Sequence, residues 1–325
     1  MNKFKYISNY FFDDQKSLFN FLIIFSSLGL LSLYSATKNL NLLSSSFVYK
    51  QISFCILGFL IYFLSKNFTK IYNIFNFNQS WLICIFLLLL PWTPLGIEVN
   101  GARRWIKILT FSFQPSEFMK IFWMIELSRF VIDSHLTVQR KFFATGWLWL
   151  KLLLIIALLM IQPDFGTSFL LTVTTLSILF IAKIRLDFYF SLMILFLIGL
   201  ITAIVLAPYR MKRFAAFLDP WTFAQDQGYQ LIQSLIAIGS GGFWGQGLGL
   251  SLQKHLALPE AHTDFIFSII VEETGFLGGI FLIFLFAWFI FILMTRGHDL
   301  AKYNQYHQSY FFLTAGLLLF FSNFY

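Results

Sequence analysis

Charge is what this sequence has least of. Only 12% of its 325 residues are Asp, Glu, Lys or Arg, against 58% apolar, and a soluble domain carries about twice that charge share. A soluble globular protein is therefore excluded. With a mean hydropathy of +0.74, the length counts membrane spans rather than soluble domains. Cysteine is almost missing. Cys55 and Cys84 both lie in apolar runs and read as buried, inert thiols, with neither a disulfide framework nor zinc spacing. No small-residue cleavage site follows the first apolar run, so no signal peptide is evident. Neither a Ser-His-Asp constellation, a His-Glu-x-x-His helix nor a Rossmann fingerprint occurs. A nucleophile for any enzymatic step has to come from substrate.

The net charge of +8 invites a nucleic-acid partner, but the bases are scattered through loops between apolar runs, where they orient helices in a membrane. No nucleic acid is expected. Phenylalanine supplies 44 residues, suited to lipid-facing surface.

Residues 1–16 form a polar tail, expected to be cytoplasmic. Apolar runs follow at about 17–36, 47–65, 80–94, 115–133, 146–162, 166–183, 187–207, 264–294 and 310–325. The expectation is an all-α, polytopic transmembrane bundle of about nine spans with a large loop over 208–263. With the N-terminus inside, Lys66, Lys70, Arg140, Lys141, Lys183, Arg185, Arg296 and Lys302 fall in cytoplasmic connections. Two outer loops break that rule. One holds Arg103, Arg104 and Lys107; the other holds Arg210, Lys212, Arg213 and Lys254. They point to an anionic partner at the outer face, or to loops that translocate whatever their charge.

Within the long loop, Asp219-Pro220-Trp221 reads as a turn into a helix, and Gln230 to Ile238 as a weakly amphipathic interfacial segment. The glycine run from Gly239 to Gly249 is no phosphate loop, because no Gly-Lys-Ser/Thr ending and no preceding strand accompany it. It reads as a loop folding back over the membrane surface.

Asp264 is the first candidate for chemistry. It sits at a helix mouth beside Phe265 and Phe267, where partial desolvation would make a carboxylate more basic. The alternative is an acid complementing the helix dipole. His262 reads as a base or an interfacial polar residue, and Glu260 as solvent-facing. Glu117 and Lys120, three residues apart, share a helix face after Pro115 and read as a structural ion pair or as site lining. Glu272 and Glu273 lie about two turns beyond Asp264, to pair inside the bundle or line a headgroup path. Asp164, after Gln162 and Pro163, marks a helix break. Acids at a membrane face with outer arginines suit glycosyl transfer from a lipid diphosphate: arginines stabilise the departing diphosphate and a carboxylate deprotonates the acceptor hydroxyl.

Seven blocks then resemble a known family. They are Asn100-Gly-Ala-Arg-Arg-Trp-Ile106, Gln114-Pro-Ser-Glu117 with Lys120, Gln162-Pro-Asp-Phe-Gly166, Tyr209-Arg210 with Arg213 and Phe217-Leu-Asp-Pro-Trp221, Gly228-Tyr-Gln230 with Gln233-Ser234, Gly239-Ser-Gly-Gly242, and Pro259-Glu-Ala-His-Thr-Asp-Phe265. In this order, across about residues 17–325, they are similar to the SEDS (shape, elongation, division, sporulation) cell-wall glycosyltransferases. Pro259-Glu260-Ala261 and Asp219-Pro220-Trp221 look more like the division branch than the elongation branch. Ile108-Leu109 stands where the family commonly has Leu-Gly.

The resemblance implies polymerisation of lipid II at the outer face of the bacterial inner membrane, with the N-terminus cytoplasmic. It implies inverting transfer, with release of undecaprenyl diphosphate, at the division septum. It puts the family's essential aspartate on Asp264, its buried Glu/Lys pair on Glu117 and Lys120, and its outer loop arginine on Arg104. Arg103, Arg210, Arg213 and His262 join them as substrate-binding candidates. The resemblance implies Asp264 as the base, or as a ligand to a divalent cation, Mg or Mn. A cognate class B penicillin-binding protein (a transpeptidase) and other division membrane proteins are the implied partners. A lipid II flippase and a non-catalytic division scaffold stay open as alternatives. The last run, about 16 residues or roughly 24 Å, is short of the ~30 Å hydrocarbon core. The resemblance implies a further, tenth helix, so a truncated or frameshifted product is expected.

Overall fold

The computed structural model describes residues 2–37, 42–64, 80–99, 101–108, 111–137, 142–182, 186–205, 208–225, 228–256, 264–302 and 306–322. Each apolar run of the sequence coincides with a helix. In chain order these are α1 (Asn2–Thr37), α2 (Leu42–Leu64), α3 (Ser80–Leu89), α4 (Pro115–Thr137), α5 (Phe142–Ile161), α6 (Phe165–Ile181) and α7 (Leu186–Val205). The long loop folds into α8 (Pro208–Leu218), α9 (Tyr229–Ser240) and the single turn α10 (Gln253–Leu256), before α11 (Ile266–Lys302) and α12 (Tyr306–Ser322). Among the described residues, Leu18–Thr37, Phe47–Leu64 and Ile266–Lys302 are long and apolar enough to cross a membrane, with shorter apolar helices between them. The protein is a multi-pass helical membrane protein. α1 runs unbroken through the polar tail, because nothing in residues 2–17 stops a helix: no Gly and no Pro occurs there.

One feature lies outside the all-α expectation. β1 (Gly96–Val99), β2 (Ala102–Ile108) and β3 (Phe111–Phe113) form a small antiparallel sheet in the order β1-β2-β3. Ile97 faces Trp105, Val99 faces Ala102, and Lys107 faces Ser112. Asn100-Gly101 separates Val99 from Ala102, and Gly101 takes φ +74°. Asn-Gly between apolar residues is the strongest short hairpin signal, and here it opens the longer Asn100-to-Ile106 block.

The chain forms two compact units. Unit 1 is Met1–Phe68 with Ile204–Phe286, and unit 2 is Thr69–Ala203 with Ala287–Tyr325. In unit 2, Met119, Trp123 and Leu127 recur every fourth residue on α4, and Leu148, Leu152, Ile155 and Leu159 do so at helical spacing on α5. With Cys84 and Leu88 of α3 and Leu171, Ile178 and Leu179 of α6 they make the core. The Trp123 indole N–H is satisfied inside it, donating to Thr175 Oγ1 at 3.0 Å. Lipid tails are as apolar as these side chains, so the core is held by packing and internal hydrogen bonds rather than by escape from water.

Unit 1 is organised by a break in α11. Gly275 leaves helical geometry at φ +74°, ψ −173°. In an unbroken helix the N–H groups of Phe276 and Leu277 would bond the carbonyls of Glu272 and Glu273. Instead they donate to Gly242 O at 2.9 Å and Phe243 O at 3.5 Å, while the two glutamate carbonyls accept from Gln246 N and Gly247 N, both at 3.0 Å. The glycine run therefore does not merely lie over the membrane surface. It fills the gap in the helix ladder, as non-helical backbone at a membrane must be satisfied by protein. Glycine is required for the approach: a Cβ on Gly245 would lie 2.2 Å from Glu273 O, and one on Gly241 would lie 2.4 Å from Val271 O.

Candidate functional site

Asp264 stands in a turn two residues ahead of α11, with its side chain exposed. The desolvation expected from its aromatic neighbours is not found. Phe265 packs against Ala36 and Ile269, and Phe267 is itself 36% exposed. No hydrogen bond or ion pair within the described residues engages Asp264. Glu260 and His262 lie outside the described residues, as do the side chains of Arg210 and Arg213.

Glu117 and Lys120 do pair, as their spacing predicts. Lys120 Nζ is 2.7 Å from Glu117 Oε1, in the first turns of α4. The pair is not buried, however: the Glu117 side chain is 57% exposed and that of Lys120 15%. The reason is positional, since Pro115 starts the helix and Glu117 lies in its first turn.

On β2, Arg103 is exposed and Arg104 half-buried. Arg104 turns back on the protein. Its Nε donates to Gln162 O at 2.9 Å and its Nη2 to Pro163 O. Two carbonyls at the end of α5 are thereby satisfied by one planar fork. Asp164 then caps α6, accepting from Thr167 N at 3.3 Å, and its other oxygen accepts from Gln114 Nε2 at 3.1 Å. Three of the family-like blocks, those around Arg104, Gln114 and Asp164, thus meet at one helix break. Arg104 and the Gln-Pro-Asp turn are one structural unit.

Sequence reasoning missed the Glu126–Lys151 pair and the partner that Glu273 takes inside the bundle. In unit 2, Lys151 of α5 lies 2.5 Å from Glu126 of α4, and Ser80 donates to the other carboxylate oxygen at 2.5 Å. The Lys151 ammonium also sits over the rings of Trp81, 5.5 Å away, and Trp147, 6.0 Å away, a cation–π arrangement. Its signal was present: an acid and a base in consecutive apolar runs belong together, because an unpaired charge there is costly.

In unit 1, Lys254 meets Glu273 at 2.9 Å with both side chains almost wholly buried, at 1% and 3% exposed. Ser35 Oγ lies 2.6 and 2.7 Å from the two Glu273 oxygens. Lys254 is thus not an outer base open to an anionic partner, as its place in the long loop suggested. Its charge is neutralised internally. Glu272, fully buried, accepts from Ser251 Oγ at 2.5 Å and from Leu252 N at 3.0 Å.

Comparison with known proteins extends this picture. The chain is 36% identical over 331 residues to a probable peptidoglycan glycosyltransferase FtsW of Wigglesworthia glossinidia brevipalpis, covering 97% of this chain and 83% of that protein. It is 37% identical over 276 residues to a protein of the same description from Saccharophagus degradans, covering 84% and 71%. It is 41% identical over 224 residues to stage V sporulation protein E of Bacillus subtilis, covering 67% and 59%. Among solved structures, its fold matches a chain of a peptidoglycan synthase complex that coordinates polymerization and crosslinking, with TM-score 0.70 at 23% identity over 94% of this chain and 84% of that one. It also matches the rod shape determining protein RodA of Thermus thermophilus, with TM-score 0.64 at 22% identity over 95% and 82%. The sequence profile of the FtsW/RodA/SpoVE cell cycle proteins spans residues 15–325, and the chain belongs to that family.

Proposed function

We propose that this protein is a peptidoglycan glycosyltransferase that polymerises lipid II into glycan strands at the division septum. Asp264 acts as the base on the acceptor sugar hydroxyl. The single observation that carries the reading is an acid exposed at the head of a membrane helix, engaged by no other described residue, in a chain of this family. A general base must be within reach of the proton it takes. The acceptor 4-hydroxyl attacks the donor anomeric carbon, its proton passes to Asp264, and undecaprenyl diphosphate leaves with inversion. Arg103 and Lys120 meet the diphosphate charge, joined by Arg210, Arg213 and His262. Arg104 contributes through the helix break it pins, and Glu117 through the position it gives Lys120.

Among the described residues, a divalent cation fits together with substrate rather than on protein ligands alone. Among the described residues no group of three His, Cys, Asp or Glu is placed to hold an ion on protein ligands alone. Mg takes one or two carboxylates together with substrate phosphates, and Asp264 fits that role as the alternative to acting as the base. When bound, such an ion neutralises diphosphate charge. The active site lies on the periplasmic face of the inner membrane, with the N-terminus in the cytoplasm. A class B penicillin-binding protein is the partner that crosslinks the strands, within a larger set of division membrane proteins.

The test is polymerisation of labelled lipid II by purified protein with its transpeptidase. Asp264→Asn should reduce product by about 100-fold or more. Equal polymerisation by the variant removes Asp264 from the mechanism. Headgroup translocation in vesicles that needs Glu117 and ignores Asp264 would instead identify a flippase.

A further inference from the structure

The chain passes from α10 to Asp264 through residues 257–263, so the direction of α10 and the start of α11 set where the two ends of that segment lie. α10 is a single turn, Gln253–Leu256. A helix that short has no stability of its own, and its position is imposed from outside. Two acids of α11 impose it. Glu272 accepts from the N–H groups of Leu252 at 3.0 Å and Gln253 at 3.4 Å, and from the Ser251 hydroxyl, whose oxygen in turn caps Lys254 N at 3.3 Å. The Glu272 carboxylate therefore sits at the N-terminal end of α10, where the unsatisfied donors are.

Glu273 takes the Lys254 side chain itself. The pair is sealed from solvent and crossed by Ser35 of α1, with Lys254 Nζ 3.3 Å from Ser35 Oγ. Three elements distant in sequence converge on one carboxylate. Burying such a pair is a poor way to gain stability, since replacing both partners by apolar side chains is often neutral or better. What the pair does provide is a single arrangement, because an offset of either partner strands a charge.

We propose that Lys254, Glu273 and Ser35 form a latch that positions Asp264, with Lys254 and Glu273 as positioning residues for glycosyl transfer. The inference rests on the reading of Asp264 as the base. The latch holds α10 against α11 about two turns beyond Asp264, and so holds the carboxylate at the distance and angle that the acceptor hydroxyl requires. Misplacement of a reacting group by about 1 Å costs on the order of 100-fold in rate.

The experiment is lipid II polymerisation by the full-length protein with its transpeptidase, using the paired variant K254M/E273M. Methionine matches both side chains in length and leaves no stranded charge. The expected result is a thermal unfolding midpoint in detergent close to that of the unmodified protein, kcat lower by about 100-fold, and an unchanged KM for lipid II. A folded double variant with unmodified kcat overturns the latch, as does a rise in KM alone. Should the double variant fail to fold, Ser35→Ala decides. It removes one hydroxyl from Glu273 and keeps the ion pair, and kcat should fall about tenfold by the same argument; unmodified kcat in Ser35→Ala overturns the proposal. An unmodified protein that makes no polymer refutes the proposed function instead, so the two failures are distinguishable.

Discussion

The Phe276 N–H donates to Gly242 O at 2.9 Å, where helical continuity would have given it to Glu272. This one exchange explains why a run of glycines precedes a pair of glutamates in the chain. The loop's backbone satisfies the break at Gly275, and the two glutamates beside the break engage α10 through their side chains. The glycine spacing follows the break, since Gly241 and Gly245 each face a carbonyl of α11.

Glycines of this run should therefore differ sharply in tolerance. Gly245→Ala puts a Cβ 2.2 Å from Glu273 O at a φ of +82°, and should cost about 2–3 kcal/mol. Gly239→Ala meets nothing within 4 Å inside a helix, and should be neutral or stabilising by up to about 1 kcal/mol. Thermal unfolding of both variants in the same detergent checks the contrast.

The Glu126–Lys151 pair predicts a non-additive cycle. Glu126→Gln or Lys151→Met alone leaves one buried partner uncompensated, with an expected loss of about 3–5 kcal/mol. The double variant should recover most of it. Because Lys151 also lies over Trp147, Trp147→Leu should cost a further ~0.5–2 kcal/mol in the parent and little in Lys151→Met. Unfolding midpoints of the six proteins (the parent, three single variants and two doubles) measure both couplings.

Adjacent arginines should separate cleanly. Arg104→Ala loses the fork on the Gln162 and Pro163 carbonyls and should cost about 2 kcal/mol of stability, with Arg104→Lys restoring only part of it because a point ammonium cannot reproduce the planar fork. Arg103→Ala, at an exposed position, should leave the unfolding midpoint within the equivalent of about 0.5 kcal/mol and raise KM for lipid II. Paired unfolding and steady-state measurements decide.

Asp264→Asn should be silent in stability, within about 0.5 kcal/mol, because the side chain is exposed. Its effect belongs to activity alone. A large drop in the unfolding midpoint would identify Asp264 as a structural acid, the helix-dipole alternative.

Much of the architecture was legible beforehand. Long apolar runs dictate membrane helices whatever they pack against, because a backbone in hydrocarbon must bond within its own segment. The Glu117–Lys120 pair was legible for a related reason: a spacing of three residues on a helix already implies proximity. The exposure of Glu117 was not, since the apolar run alone does not say where the helix surfaces. The burial of Lys254 was not legible either, because membership of a polar loop does not fix solvent exposure.

By itself, then, the chain's order of residues determined the membrane class, the apolar helices and the Glu117–Lys120 contact, since these depend on local spacing. Tertiary structure alone decided that Lys254 meets Glu273 and Ser35, that Glu126 meets Lys151, and that the glycine run completes the ladder at Gly275. An ion pair or a backbone hydrogen bond forms wherever two groups come within about 3 Å, and across tens or hundreds of residues that distance is a property of the packed helices.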